Sequence, residues 1–136
     1  MTEKLLNLHK NSYSPYSKFQ VSALVIMNDG NEFGGVNVEN ASYGAAICAE
    51  RSAIVSAVTA GYKPGEFKEL HVMVASGNIG MPCFACRQVI SEFFNEDSKV
   101  YCYDTHGRVE VHTVSELCPY PFGSDDLVWN ADLLVW

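Results

Sequence analysis

Hydrophobic positions along the chain change their spacing several times, and each spacing predicts a different element of secondary structure. Near the start, Leu5, Leu8 and His9 fall on one side of a helical pattern. The apolar runs on either side of Asp29-Gly30 are typical of the two strands of a hairpin. An alanine-rich, helix-favouring stretch ends at Gly61. Together the patterns predict a helix over residues 4–13, strands over 19–27 and 32–38, a helix over 45–60, a strand over 70–75, a helix over 83–94, strands over 99–103 and 109–113, and an irregular tail with short helical character after Ser124.

This order of elements predicts an α/β fold. Because helices and strands alternate, we expect a single mixed β-sheet of about five strands flanked by helices on both faces, a three-layer α/β/α arrangement. No internal repeat, low-complexity segment or linker interrupts the sequence. We therefore expect one domain over residues 1–136.

Composition and charge limit the kinds of molecule that this chain is expected to bind. The chain is 48% hydrophobic and 18% charged, which is typical of a folded rather than a disordered chain. Its net charge is −7 and its nine basic residues are scattered, which argues against a nucleic acid or an anionic membrane as a partner. We see no signal peptide and no apolar run near the roughly 20 residues that span a bilayer. We expect a cytoplasmic protein that acts on a small neutral molecule.

The five cysteines point to metal chemistry rather than to disulfides. An odd number of cysteines in a reducing compartment makes structural disulfides unexpected. Cys83 and Cys86 have the Cys-x-x-Cys spacing that favours a metal site or a redox pair. For Cys102 and Cys118 we expect packing in the core, with the closing of a structural four-cysteine site as the alternative.

Cys48 and the Cys83/Cys86 pair each stand at the start of a predicted helix. Free amide N–H groups and the helix dipole at that end stabilise the thiolate, which is the form that ligates zinc. A structural zinc site has four protein ligands, whereas a catalytic site has three and leaves the fourth position to water. Cys48, Cys83 and Cys86 therefore predict an open site for one Zn²⁺.

Glu50 and two arginines lie next to the predicted ligands. A carboxylate at Glu50 can take a proton from a water at the metal and deliver it to a ring nitrogen and then to a departing amine. Nucleobase deaminases combine such a glutamate, which does not bind the metal, with cysteine-ligated zinc. Three thiolates leave excess negative charge on the metal, and we expect Arg51 and Arg87 to offset it by donating to the sulfurs. Gln88 completes the second motif and is expected beside it.

At these residues the chain resembles the small homotetrameric cytidine deaminases, over about Tyr13 to Leu127. The resemblance rests on several motifs in order: Tyr16-Ser17-Lys18-Phe19-Gln20-Val21, Asn37-Val38-Glu39-Asn40-Ala41-Ser42-Tyr43, Cys48-Ala49-Glu50-Arg51, Pro82-Cys83-Phe84-Ala85-Cys86-Arg87-Gln88, and Pro121-Phe122-Gly123-Ser124-Asp125-Asp126-Leu127. The chain departs from the family at Phe84 and Ser22, where glycine is common, and at Tyr120 and Pro121. None of these departures removes a metal ligand or the acid/base.

The resemblance implies zinc-dependent hydrolytic deamination of cytidine and deoxycytidine, in pyrimidine salvage, by a homotetramer whose subunits share their active sites. It also implies roles for particular residues. These are Phe19 packing on the pyrimidine ring, Asn37 and Glu39 binding the ribose hydroxyls, Ala41 and Tyr43 in the pocket, the Ala49 N–H on the ring carbonyl, and Phe122 closing a neighbouring subunit's pocket.

Other functions share parts of this pattern. A blasticidin S deaminase has similar metal motifs but lacks the Asn37–Asn40 stretch, which favours a simple nucleoside. A nucleic-acid-editing deaminase needs a basic groove that this composition does not supply. A non-catalytic module with a closed zinc site would need a fourth sulfur. A thioredoxin-like dithiol would leave Cys48 and Glu50 without a role.

Overall fold

The computed structural model describes residues 1–127, and the strands in that range form a five-stranded sheet. The strands are β1 (Val21–Met27), β2 (Glu32–Val36), β3 (Phe67–Val74), β4 (Phe94–Tyr103) and β5 (Val109–Thr113). Their order across the sheet is β2-β1-β3-β4-β5. β3 and β4 are parallel, whereas the other neighbouring pairs are antiparallel. The predicted single mixed sheet is confirmed.

Helices cover both faces of this sheet. They are α1 (Thr2–His9), α2 (Ala49–Thr59), α3 (Phe84–Phe93) and α4 (Val114–Leu117). On one face, Leu5 of α1 packs against Leu24, Met73 and Tyr103. On the other face, the remaining helices enclose the larger core. Because side chains alternate along a strand, β1, β3 and β4 each contribute to both layers.

Several element boundaries differ from the sequence prediction. β2 ends at Val36 because Val38 leaves the sheet and bridges Tyr13 and Ile47 instead. α2 begins at Ala49, and a separate 3₁₀ turn occupies Tyr43–Ala45. β4 begins at Phe94, directly after α3.

The short helix α4 was not predicted. Its sequence signal is a capping box, in which Thr113 accepts from the Glu116 N–H and the Glu116 side chain accepts from the Thr113 N–H. The 3₁₀ turn at Ser124–Leu127 confirms the helical character expected after Ser124. Residues 128–136 lie outside the described part, so the single domain over 1–136 remains a prediction there.

Helix α2 lies unusually close to strand β2. A Cβ atom built on Gly35 would stand 2.3 Å from the Ala53 nitrogen and 2.6 Å from the Ala49 carbonyl oxygen. Ala49 and Ala53, one turn apart on the facing side of the helix, are fully buried. Gly35 therefore determines how deeply the helix that begins after Cys48 sits on the sheet.

No helix within residues 1–127 combines the length and the apolar character that a bilayer crossing requires.

Candidate active site

Three thiols from two helix starts meet at one edge of the core. Cys48 is the N-cap of α2 and Cys83 is the N-cap of α3, while Cys86 lies in the first turn of α3. The Sγ atoms of these cysteines all lie within 4.8 Å of one another, and those of Cys48 and Cys83 are 3.7 Å apart. Tetrahedral zinc with bonds of about 2.3 Å to sulfur separates two ligand sulfurs by about 3.8 Å. The three sulfurs are therefore spaced as zinc ligands would be, and Cys48 and Cys83 both lie at helix N-termini.

Neither of the remaining cysteines joins this group. Cys102 is fully buried on β4 in the core. Cys118 is half-buried against the same core, and its thiol donates to the Arg87 carbonyl oxygen at 3.3 Å. Within residues 1–127, the metal-binding group thus has three protein ligands, and core packing of Cys102 and Cys118 is confirmed. Three ligands are the number that a catalytic zinc site uses.

The surroundings of Cys48 favour its thiolate. Hydrogen bonding with Cys86, together with the neighbouring Arg51, lowers the pKa of Cys48 to about 5. Arg51 Nη2 lies 3.4 Å from Cys48 Sγ, which is the sulfur contact expected for this arginine. The same hydrogen bond raises the pKa of Cys86, so that Cys48 and Cys86 share one proton, which a bound metal would displace.

Glu50 is the second residue of α2 and is only 4% exposed. Burial raises the pKa of its carboxyl group. Its oxygens do not belong to the metal-binding group, and the residue lines a cavity together with Cys48 and Cys83. A carboxyl group whose pKa is raised toward neutrality is suited to both accepting and donating a proton.

This cavity has a volume of about 430 Å³, a size that holds a small organic ligand. It brings together several residues that the sequence predicted: Phe19, Asn37, Glu39, Tyr43, Cys48, Ala49, Glu50, Arg51 and Cys83. It also has a wall of apolar residues that the sequence did not single out: Val21, Ala46, Ile47, Val72, Val74 and Met81. The alternating hydrophobic pattern of β1 and β3 predicts that their valines are buried, but it does not indicate which of them line the cavity.

Two predicted site residues lie elsewhere. Ala41 is exposed and does not line the cavity. Phe122 is 55% exposed and lines a different groove, beside Phe84 and Gln88. Gln88 Nε2 donates to the Phe122 carbonyl oxygen at 2.8 Å. Within one chain, neither Ala41 nor Phe122 reaches the cavity.

The expected contact from Arg87 to a sulfur is wrong for this structure. Its Nε donates to the Pro82 carbonyl oxygen at 2.8 Å, and its Nη1 donates to the Leu117 carbonyl oxygen at 3.1 Å. The guanidinium carbon lies 4.3 Å from the centre of the exposed Phe84 ring. Arg87 therefore ties the start of α3 to α4 through these two carbonyl groups.

Asn37 and Glu39 line the cavity, but most of their hydrogen bonds go to the segment between α1 and β1. Asn37 Oδ1 accepts from the Val21 N–H at 2.9 Å, and Asn37 Nδ2 donates to the Phe19 carbonyl oxygen at 2.7 Å. Glu39 Oε1 accepts from the backbone N–H groups of Tyr16 and Ser17 at 3.0 and 3.1 Å.

A sequence profile described as "Cytidine and deoxycytidylate deaminase zinc-binding region" matches residues 1–103. The chain belongs to this deaminase family. Cytidine deaminase of Sporosarcina psychrophila is 41% identical over 89% of this chain and 88% of its own length. Cytidine deaminase of Halalkalibacterium halodurans is 38% identical over 93% of this chain and 95% of its own length.

Solved structures give the same result. The crystal structure of cytidine deaminase from Burkholderia pseudomallei superimposes with a TM-score of 0.85 at 42% sequence identity, covering 89% of this chain and 95% of that one. The deaminase family is zinc-binding, and Cys48, Cys83 and Cys86 provide the group that fits the metal. The predicted zinc cofactor is thereby confirmed.

Proposed function

We propose that this protein catalyses the hydrolytic deamination of cytidine and deoxycytidine to uridine and deoxyuridine, with release of ammonia, in pyrimidine salvage. The observation that carries the proposal is the position of Glu50, buried in the same 430 Å³ cavity as the thiols of Cys48 and Cys83. Relatives named cytidine deaminase, aligned along most of the chain, support this assignment of substrate.

The lining of the cavity favours a nucleoside over a nucleotide. Among the described lining residues, Arg51 is the one cation, and its guanidinium is directed at Cys48. A phosphate group requires positive charge or free backbone N–H groups, whereas the carboxylate of Glu39 would repel it. We assign the sugar to the side of Asn37 and Glu39 and the base to the side of Phe19 and Glu50.

In this assignment each residue has a simple task. Phe19 packs against the pyrimidine ring, and the N–H of Ala49, at the first position of α2, has no partner within its helix and donates to the ring carbonyl. Cys48, Cys83 and Cys86 would hold the zinc, which would lower the pKa of a bound water. Glu50 takes one proton of the attacking water and delivers it to ring N3 as the water oxygen bonds to C4. It then takes the second proton from the hydroxyl group now on C4 and delivers it to the exocyclic amine, so that the C4–N bond breaks and ammonia leaves. The apolar wall of the cavity excludes other water from the reaction.

We further propose a single-domain, cytoplasmic homotetramer. Tyr43, Phe84 and Phe122 are 79%, 77% and 55% exposed, an arrangement that favours burial against other copies of the chain. In that assembly Ala41 and Phe122 would approach a cavity of a neighbouring subunit. The cysteines are free thiols, in keeping with a reducing compartment.

The decisive experiment measures deamination and zinc content in the same preparations. The wild-type protein is expected to convert cytidine to uridine and ammonia with one zinc per subunit. Glu50→Gln should lower kcat by about a thousandfold and keep its zinc. Glu92→Gln, at an exposed position of α3, is the matched control and should change neither.

Three outcomes would contradict the proposal. These are a wild-type protein that leaves cytidine unchanged, a Glu50→Gln variant that turns over normally, and a Glu50→Gln variant that loses zinc. Faster turnover of blasticidin S than of cytidine would instead favour the rival deaminase.

A further inference from the structure

One hydroxyl group connects the two sides of the proposed substrate site. Ser17 Oγ donates to the Glu39 carboxylate, and the backbone N–H of Phe19 donates to the same Ser17 Oγ at 3.0 Å. The Ser17 hydroxyl thus donates its single proton to Glu39 while its oxygen accepts a hydrogen bond from Phe19. Both Glu39 and Phe19 line the cavity, and the proposed substrate would place its sugar at Glu39 and its base at Phe19.

The backbone around this hydroxyl is held by the same carboxylate. Glu39 Oε1 accepts from the N–H groups of Tyr16 and Ser17, so that both oxygens of Glu39 are bound to the segment that leads into Phe19. The Ser17 hydroxyl also lowers the pKa of Glu39, which keeps the carboxylate ionised at neutral pH. A carboxylate oxygen accepts more than one hydrogen bond, and Glu39 therefore retains capacity for a sugar hydroxyl.

A second connection reaches Phe19 from Asn37. Asn37 Nδ2 donates to the Phe19 carbonyl oxygen, and Ser12 Oγ donates to Asn37 Oδ1 at 2.5 Å, which orients the amide. Both candidate sugar-binding residues are therefore hydrogen-bonded to the backbone of the candidate base-binding residue. Asn37 reaches the carbonyl group directly, whereas Glu39 reaches the N–H group only through Ser17.

We propose that Ser17 is a positioning residue that couples the sugar-side carboxylate of Glu39 to the base-side ring of Phe19. The inference rests on the proposed function and adds to it a reason why the two halves of a nucleoside are recognised together. When a sugar hydroxyl orients Glu39, the Ser17 hydroxyl passes that orientation to the backbone of Phe19. When either Glu39 or Phe19 lacks its half of the substrate, the other residue is less well placed.

The test compares three variants on three substrates. Ser17→Ala removes both hydrogen bonds of the hydroxyl, and Ser17→Thr keeps them. Ser14→Ala is the matched control, because Ser14 lies in the same segment and its side chain has no bond to Glu39 or to Phe19. Each variant is assayed for kcat and KM with cytidine, 2′-deoxycytidine and 3′-deoxycytidine.

For Ser17→Ala we expect the KM for cytidine to rise about tenfold while kcat changes by less than about twofold, since hydrogen bonds to a charged group are lost in binding rather than in chemistry. Ser17→Thr should restore the wild-type KM. The distinguishing result concerns whichever deoxycytidine lacks the hydroxyl that Glu39 binds. In the wild-type protein its kcat/KM should be lower than that of cytidine. In Ser17→Ala the ratio between the two kcat/KM values should shrink at least about threefold, because coupled perturbations are not additive.

A KM rise by the same factor for all three substrates would show a general loosening of the segment and would overturn the proposal. An unchanged KM in Ser17→Ala, or a Ser17→Thr variant as impaired as Ser17→Ala, would also overturn it. These outcomes presuppose a wild-type protein that deaminates cytidine. Absence of that activity would refute the proposed function instead, so the two failures are distinguishable.

Discussion

Replacing Gly35 by alanine is expected to displace the helix that carries Glu50, the proposed catalytic residue. The added Cβ would stand 2.3 Å from the Ala53 nitrogen, 2.6 Å from the Ala49 oxygen and 2.9 Å from the Ala53 Cα. All three are backbone atoms of α2, so no side-chain rotation can relieve the overlap. The helix must therefore retreat from β2 by about 1 Å to restore an ordinary contact distance.

The size of the effect follows from this displacement. Overpacking a core costs about 1–3 kcal/mol, and we expect about 3 kcal/mol here because only backbone can yield. For a chain of this length, that loss corresponds to a decrease in Tm of about 10 °C. A catalytic group misplaced by about 1 Å is expected to lower kcat/KM about a hundredfold.

Thermal unfolding by circular dichroism, zinc content and cytidine turnover measure these effects together. Gly34→Ala is the matched control, because a Cβ at Gly34 meets only the flexible side chain of Leu8, at 3.0 Å. If Gly35→Ala unfolds at the temperature of Gly34→Ala, or turns over cytidine as fast, the close approach of α2 to β2 does not govern the site. The reasoning would then be refuted.

Burial lowers the pKa of His9 from its ordinary value of 6.5, so the unfolded chain binds the proton more readily, and stability should fall as the pH decreases through 6.5. In thermal unfolding, His9→Gln should flatten this dependence, whereas the exposed control His106→Gln should not. Arg51→Gln should weaken zinc binding about tenfold in competition with a chelator, and unchanged affinity would contradict the contact with sulfur. Glu50→Gln and Phe122→Ala variants should each be impaired, and refolding the two together should recover activity if subunits share sites as proposed.

Much of this protein can be predicted from local sequence. The hairpin turn around Asp29-Gly30 is one example, because Gly30 adopts a φ of 90° that few other residues tolerate. The helix start at Cys83 is another, whereas the helix predicted from residue 45 begins only at Ala49, after Cys48. Strand β5 has the predicted bounds because its alternating pattern is bordered by a turn and a capping box.

Contacts between distant segments were not predictable in the same way. The sequence indicates that Arg87 adjoins a metal ligand, but not that the carbonyl groups of Pro82 and Leu117 are left for it. The role inferred for Ser17 depends on Glu39 approaching it from the segment that follows β2. Such contacts follow from which backbone groups remain unpaired once the sheet has formed.

By itself, the sequence determined which residue types stand at the helix starts, and hence the kind of metal that fits them and the residue that we propose as the acid/base. Only the tertiary structure decided that Cys48 and Cys83, far apart in the chain, bring their sulfurs to 3.7 Å. It also decided how deeply α2 sits on Gly35. The physical reason is that residue type and turn chemistry act over a few neighbouring positions. The distance between two helix ends is instead set by the packing of the whole core between them.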